Sequence, residues 1–143
     1  MNLRDLAFDD IAIGDRAEVQ WVPSADDIDA FAALSGDHNP LHVDVEYARA
    51  QGFPDRVVHG FLLGAKVSAL VGMLLPGRRC LLLDYELSHP NPVFAGDRVT
   101  VRGEVRETWP DLHLIELSIK AVKSVDGKDK TVARGSVKCK IRS

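Results

Sequence analysis

The sequence predicts an α+β domain in which an antiparallel sheet curves around one buried helix. Three observations lead there. Residues 60–75 read Gly-Phe-Leu-Leu-Gly-Ala-Lys-Val-Ser-Ala-Leu-Val-Gly-Met-Leu-Leu, apolar nearly all round apart from Lys66 and Ser68, and a helix with no polar face must be buried. Four strand-like segments follow at 79–90, 97–108, 112–125 and 130–141, punctuated by Pro90 to Pro92 with Gly96-Asp97, by Trp109-Pro110-Asp111 and by Asp126-Gly127. Connections this short join antiparallel neighbours. Helical patterns occupy the first half of the chain and strands the second, the segregation that marks α+β architecture.

The elements can be justified in order. Ile13-Gly14-Asp15 followed by Ala17, Val19 and Trp21 alternates like a short first strand ending at Pro23. Ser24 reads as an N-cap with Asp27 three residues on, a carboxylate variant of the capping box, and Ile28, Phe31, Ala32 and Leu34 supply the apolar stripe of the first helix. Gly36 ends it. Asp44 can cap a shorter helix through Ala48 and Ala50 that Gly52 closes, and the loop onward to Val58 carries Pro54. In the apolar helix, Gly64, Ala65, Ala69 and Gly72 would let a sheet wrap closely. A sheet wrapped on one central helix is the hot-dog arrangement. No internal repeat, linker or low-complexity segment interrupts residues 1–143, so one domain is expected.

Composition narrows the function classes. Net charge is −3, with 45% hydrophobic and 27% charged residues, which leaves no electrostatic footprint for nucleic acid. No apolar run approaches the roughly 20 residues needed to span a bilayer, and Met1-Asn2-Leu3-Arg4-Asp5 lacks the apolar core of a signal peptide. The expected location is the cytoplasm. Cys80 and Cys139 are distant in sequence without a CxxC partner, so they suggest neither a disulfide framework nor a zinc site and read as small buried hydrophobes.

The chemistry concentrates in two short blocks. Residues 35–42 read Ser-Gly-Asp-His-Asn-Pro-Leu-His, and Val57-Val58-His59-Gly60 opens the apolar helix. Asp37 and His42 form an acid/base pair on a Pro-stiffened turn. Gly60 starts a helix whose first N–H groups lack intrahelical partners, a natural site for a developing oxyanion. Asp37 could equally form an Asx-turn ahead of Asn39-Pro40, with His42 an ordinary loop residue.

At these residues the chain resembles a family, the MaoC-like (R)-specific enoyl-CoA hydratases and dehydratases. The run Gly36-Asp37-His38-Asn39-Pro40-Leu41-His42 is similar to the family's hydratase motif, and Phe53, Val57, Val58, His59 and Gly60 fall where its second block lies. The likeness covers about residues 10 to 140. It implies a hot-dog fold and a hydro-lyase that reversibly hydrates trans-2-enoyl-CoA to (R)-3-hydroxyacyl-CoA. That reaction needs a base for water, an acid at the α-carbon and a donor for the enolate oxygen. Asp37, His42 and Gly60 are the catalytic candidates, with the order of acid and base within the pair left open.

Asn39, His59 and Ser68 are the substrate-binding candidates, each with a structural alternative. Asn39 can be a plain turn residue, His59 can fix the helix start by hydrogen bonding, and Ser68 can bond back to the helix at Gly64. Lys66 is expected to snorkel to a surface or subunit boundary. Arg16, Arg49, Arg56, Arg78, Arg79 and Arg98 are interchangeable as phosphate partners. His89 and His113 sit in strand contexts and receive no role. No metal or other cofactor is expected. A short subunit with an open sheet edge suggests a homodimer with the site at the interface. The resemblance also accommodates an acyl-carrier-protein thioester as substrate, with dehydration as the working direction. Two other classes stay open, a hot-dog thioesterase and a non-catalytic acyl-thioester-binding subunit.

Overall fold

The computed structural model describes residues Met1–Ser143. In chain order the elements are β1 (Arg16–Trp21), α1 (Ala25–Ser35), α2 (Pro40–Val43), α3 (Val45–Ala50), α4 (Gly60–Ala69), β2 (Cys80–Ser88), β3 (Val99–Trp109), β4 (Leu114–Val125) and β5 (Lys128–Ile141). The strands form one sheet in the order β1-β3-β4-β5-β2, and every neighbouring pair is antiparallel.

Local signals account for the helix ends. The N–H of Asp27 donates to Ser24 Oγ (3.1 Å) and that of Ser24 to Asp27 Oδ2 (3.0 Å), which closes the capping box at α1. Gly36 stops the helix in the left-handed region at φ 80°, its N–H reaching Ala32 C=O. Asp44 caps α3 through the Tyr47 N–H. Of the expected stripe on α1, Ile28 and Ala32 are buried, but Leu34 is 86% exposed. Leu34 lies in the last turn of the helix, one residue from its end at Ser35, and no element covers it.

The core lies between α4 and the concave face of the sheet. Leu63, Val67 and Leu70 meet Val99, Val101 and Val105 of β3, Ile115 and Leu117 of β4, and Val137 and Ile141 of β5, all buried. Each such side chain contributes about 1.5–3 kcal/mol relative to exposure. Close approach depends on glycine on both surfaces. A Cβ at Gly64 would collide with the Tyr85 hydroxyl, and one at Gly103 would lie 2.9 Å from Leu70. Gly72 has open space around it and does not serve this purpose.

Four expectations need correction. The four later strands are not all joined to their sequence neighbours: β2 and β3 are consecutive in the chain but lie apart in the sheet, because β2 pairs with β5 at its edge. The apolar segment is not one α-helix to Leu75. After Ala69 the backbone widens into a π turn over Leu70–Leu74, with the Leu75 N–H donating to Leu70 C=O, and Pro76 lacks the N–H to continue it. The helix is also not buried all round in a single subunit, because Phe61, Ala65 and Ser68 form an exposed stripe, Phe61 at 80%. Lys66 lies 4.9 Å above the Trp21 ring, a cation–π contact that holds it against β1.

The cysteines, distant in sequence, meet across β2 and β5 with their sulfurs 3.5 Å apart. His113 lies in a left-handed turn between β3 and β4, stacked on Phe8 at 5.0 Å. No helix is long and apolar enough to cross a membrane.

Candidate active site

The 36–42 turn is held by its own side chains. Ser35 Oγ accepts from the Asp37 N–H (3.1 Å), Asp37 Oδ1 from the Asn39 N–H (3.1 Å) and Asn39 Oδ1 from the Leu41 N–H (3.0 Å). Pro40 occupies the first position of α2, where a missing N–H costs nothing. The Asx-turn alternative is thus real, yet it uses only one carboxylate oxygen. The other, Asp37 Oδ2, faces His42 Nε2 at 3.7 Å. That gap is too long for a direct hydrogen bond and suits a shared water.

His42 is fixed from behind. Its Nδ1 lies 2.6 Å from Val57 C=O. A carbonyl can only accept, so Nδ1 carries a proton, and Nε2 is the ring nitrogen turned toward Asp37. The burial of the pair is unequal, with the His42 side chain 15% exposed and that of Asp37 50%. Of the two, only His42 is largely withdrawn from solvent.

His59 does not fix the helix start by side-chain hydrogen bonding. It is the N-cap residue of α4, but its side chain makes no capping bond. Its ring is 2% exposed, donates through Nε2 to Asp37 C=O (3.0 Å), and stacks on His42 at 3.8 Å with 24° between planes. Phe31 packs edge-on from the other side at 4.8 Å. Burial lowers its pKa below 6.5, against the raising influence of the Asp37 carbonyl, and nearby His42 lowers it further. Its buried Nδ1 has no partner, as expected of a bare lone pair on a neutral ring.

The N-terminus of α4 borders the pair. The first return bonds in α4 come from Leu62 and Leu63, both to His59 C=O, so the N–H groups of Gly60 and Phe61 precede the hydrogen-bonded turns. A pocket of about 380 Å³ opens here, lined among others by His42, Phe53, Gly60, Leu63, His89 and Val132. Its far wall, Pro90 to Val93, is anchored from inside the sheet. Buried Lys123 donates to Pro92 C=O (2.8 Å) and to Asp97 Oδ2 (2.9 Å) while lying over the Phe94 ring at 4.6 Å.

The structure therefore unites Asp37, His42 and Gly60, with His59 beneath them. Asn39 spends its side-chain oxygen on the α2 cap. Ser68 lies in a second, apolar pocket of about 140 Å³ with Phe61, Gly64, Val71, Leu82, Tyr85 and Val137. Among the six candidate arginines, Arg16 pairs with Glu104, Arg56 with Asp29, and Arg78 and Arg79 with Asp5, leaving Arg49 and Arg98 of that set without a carboxylate partner. Sequence reading missed His89 and Lys123. His89 was placed in a strand, whereas β2 ends at Ser88; the His-Pro-Asn-Pro run was the available signal that the backbone leaves the sheet there.

Ligating atoms of Asp37, His42 and His59 lie within 4.8 Å of one another. The two imidazoles are stacked nearly parallel, however, and each has one nitrogen engaged with a carbonyl. Their in-plane lone pairs do not converge as tetrahedral ligands would.

Asp37 Oδ2 and His42 Nε2 thus face one gap beside the first N–H groups of α4, in a hot-dog fold. The chain belongs to the MaoC-like domain family, whose model matches residues 11–124. It is 39% identical over 108 residues to the (R)-specific enoyl-CoA hydratase of Aeromonas caviae, covering 76% of this chain and 81% of that protein. It is 34% identical to the 3-hydroxybutyryl-CoA dehydratase of Methylorubrum extorquens, covering 76% and 69%. An unliganded R-hydratase from Pseudomonas aeruginosa superposes with a TM-score of 0.90 at 31% identity, covering 98% of this chain and 88% of that one. The fold likeness extends to a fluoroacetyl-CoA thioesterase, with a TM-score of 0.58 at 20% identity. Family membership supports hydratase or dehydratase activity, that of a hydro-lyase.

Proposed function

We propose that the chain hydrates trans-2-enoyl-CoA reversibly to (R)-3-hydroxyacyl-CoA, with Asp37, His42 and the N-terminus of α4 as its machinery. The observation that carries this is the 3.7 Å gap between Asp37 Oδ2 and His42 Nε2, bordered by the start of α4. A water in that gap donates one hydrogen bond to each group. As the water oxygen bonds to C3, His42 Nε2 takes its proton and the C2=C3 electron pair moves toward the thioester oxygen, where the Gly60 and Phe61 N–H groups receive it. Asp37 holds the water and offsets the charge on the imidazolium. His42 then returns the proton to C2, which completes the addition of water with no net change at the enzyme. The acceptor character of Val57 C=O favours this order, because it leaves the resting lone pair at Nε2. The R configuration is taken from the named relatives.

A homodimer fits the same reading. The edge strand β2 has no partner on its outer side; Leu81, Leu82 and Leu83 are exposed on it, and Leu82 shares a pocket with Phe61 of α4. A second copy covering these groups would bury the apolar stripe on α4 and narrow the open pockets around a pantetheine arm.

Incubation with crotonyl-CoA tests the function. Loss of the conjugated enoyl absorbance without free thiol is expected. Free thiol would indicate a thioesterase, and neither signal would indicate a binder. A relative from Arabidopsis thaliana named as a mitochondrial 3-hydroxyacyl-[acyl-carrier-protein] dehydratase, 31% identical over 116 residues, makes the carrier-protein thioester the second substrate to assay.

A further inference from the structure

Besides His42 and His59, a third imidazole lines the pocket, and the mechanism above leaves it unused. His89 follows the last residue of β2 and lines the same pocket as His42 and Gly60. Its ring faces the first residue of α4. A Cβ built on Gly60 would lie 3.2 Å from His89 Nε2 and 3.4 Å from Cδ2 and Cε1, so the Nε2 edge is the part that meets the helix start. A side chain at residue 60 would therefore press on the His89 ring.

The surroundings keep His89 in place without occupying its nitrogens. Ser88 Oγ donates to Arg134 C=O and Asn91 Nδ2 to Thr131 C=O, which ties the backbone on both sides of it to β5. Lys123 holds Pro92. A ring fixed at its base, directed at a helix N-terminus and exposed to the pocket is poised to donate to whatever acceptor that N-terminus receives.

We propose that His89 is a further catalytic residue, which donates from Nε2 to the thioester oxygen beside the Gly60 N–H. This rests on the hydratase reading. The physical case is that charge accumulates on that oxygen only as C3 is attacked, so a donor aimed there strengthens in the transition state more than in the bound substrate. The enolate then has the backbone N–H groups on one side and an imidazole on the other. His89 makes or breaks no covalent bond in this role, and its proton stays on Nε2 throughout.

The test uses the full chain and three versions of residue 89. His89→Phe keeps an aromatic ring without a donor, and His89→Gln keeps an N–H donor. With crotonyl-CoA, His89→Phe should lower kcat about 10²-fold with little change in KM, the scale of losing one oxyanion donor. His89→Gln should recover a substantial part of that loss. The second readout is spectroscopic. In the slow Asp37→Asn background, bound hexadienoyl-CoA should show a red-shifted absorbance from its polarised carbonyl, reduced by His89→Phe and regained with His89→Gln.

Wild-type kcat in folded His89→Phe would overturn the proposal. So would a lower kcat with an unchanged red shift, which would make His89 a packing residue. Failure of the hydratase reading is a separate result, visible as a wild-type protein that leaves crotonyl-CoA unhydrated, and the red shift would still report whether His89 touches the carbonyl.

Discussion

His59 lies flat beneath His42, ring centroids 3.8 Å apart, while its Nε2 holds the backbone carbonyl of Asp37. One buried side chain thereby supports both members of the acid–base pair: it packs under one ring and fixes the main chain of the other residue.

That arrangement makes stability depend on pH. The pKa of folded His59 is lowered from 6.5, chiefly by burial, so protonation favours the unfolded chain. Stability should be fully present above about 6.5 and fall as pH drops below it toward the lower folded value. Denaturant midpoints measured across pH 5 to 8 should show this slope, and His59→Gln should flatten it. An unchanged slope in the variant would place the titrating group elsewhere.

Asp37→Asn and His42→Gln should each lower kcat by about 10²–10⁴. The proposed mechanism has both act on one water, so the double variant should be little worse than the worse single variant, since a proton-transfer pair loses its function only once. Losses that multiply would show two independent roles. Folded single variants with near wild-type turnover would reduce both residues to turn-formers.

Gly60→Ala should lower activity strongly while the fold persists. The added methyl meets His89 Nε2 at 3.2 Å, so its first effect is displacement of that ring. Crystal structures of the variant should show His89 shifted and the start of α4 unchanged; an unmoved ring with full turnover would contradict this.

Lys123→Met should destabilise the chain by about 3 kcal/mol, because it removes the ammonium that pairs with Asp97, leaving it the Phe94 N–H alone, and the donor to Pro92 C=O. Adding Asp97→Asn should restore part of the loss. A thermal or denaturant series on both variants measures it, and a neutral single variant would show that water replaces the ammonium.

Leu82→Lys should weaken self-association, since Leu82 stands exposed on the β2 edge beside the second pocket. Sedimentation should shift from a dimer to a monomer. A wild-type protein that is monomeric and active at assay concentration would remove the dimer from the reading.

The fold was legible because its signals are local. The capping pair Ser24 and Asp27, the stop at Gly36 and the Asp126-Gly127 turn each specify geometry within a few residues, and the structure places them as read. The Asp37 to His42 turn was legible for the same reason. What escaped was decided by distant partners. Lys66 is turned by Trp21, Cys80 meets Cys139 across two strands, and His89 gains meaning only against Gly60, 29 positions earlier in the chain. His59 looked like a helix cap because its backbone is one; only the packing of Phe31 and His42 turned its ring away.

The sheet order has a consequence for the nascent chain. β2 has one partner in the sheet, β5, which is the last strand to be synthesised. Residues 80–88, with their three consecutive leucines, must therefore wait for residues 128–141 before either edge is satisfied, while β3 and β4 can already form their hairpin. A ribosome paused between these segments holds a half-built sheet with an apolar strand open on both sides, the kind of intermediate that chaperones protect. Translation speed over the last two strands should thus influence soluble yield more than speed over the helical first half.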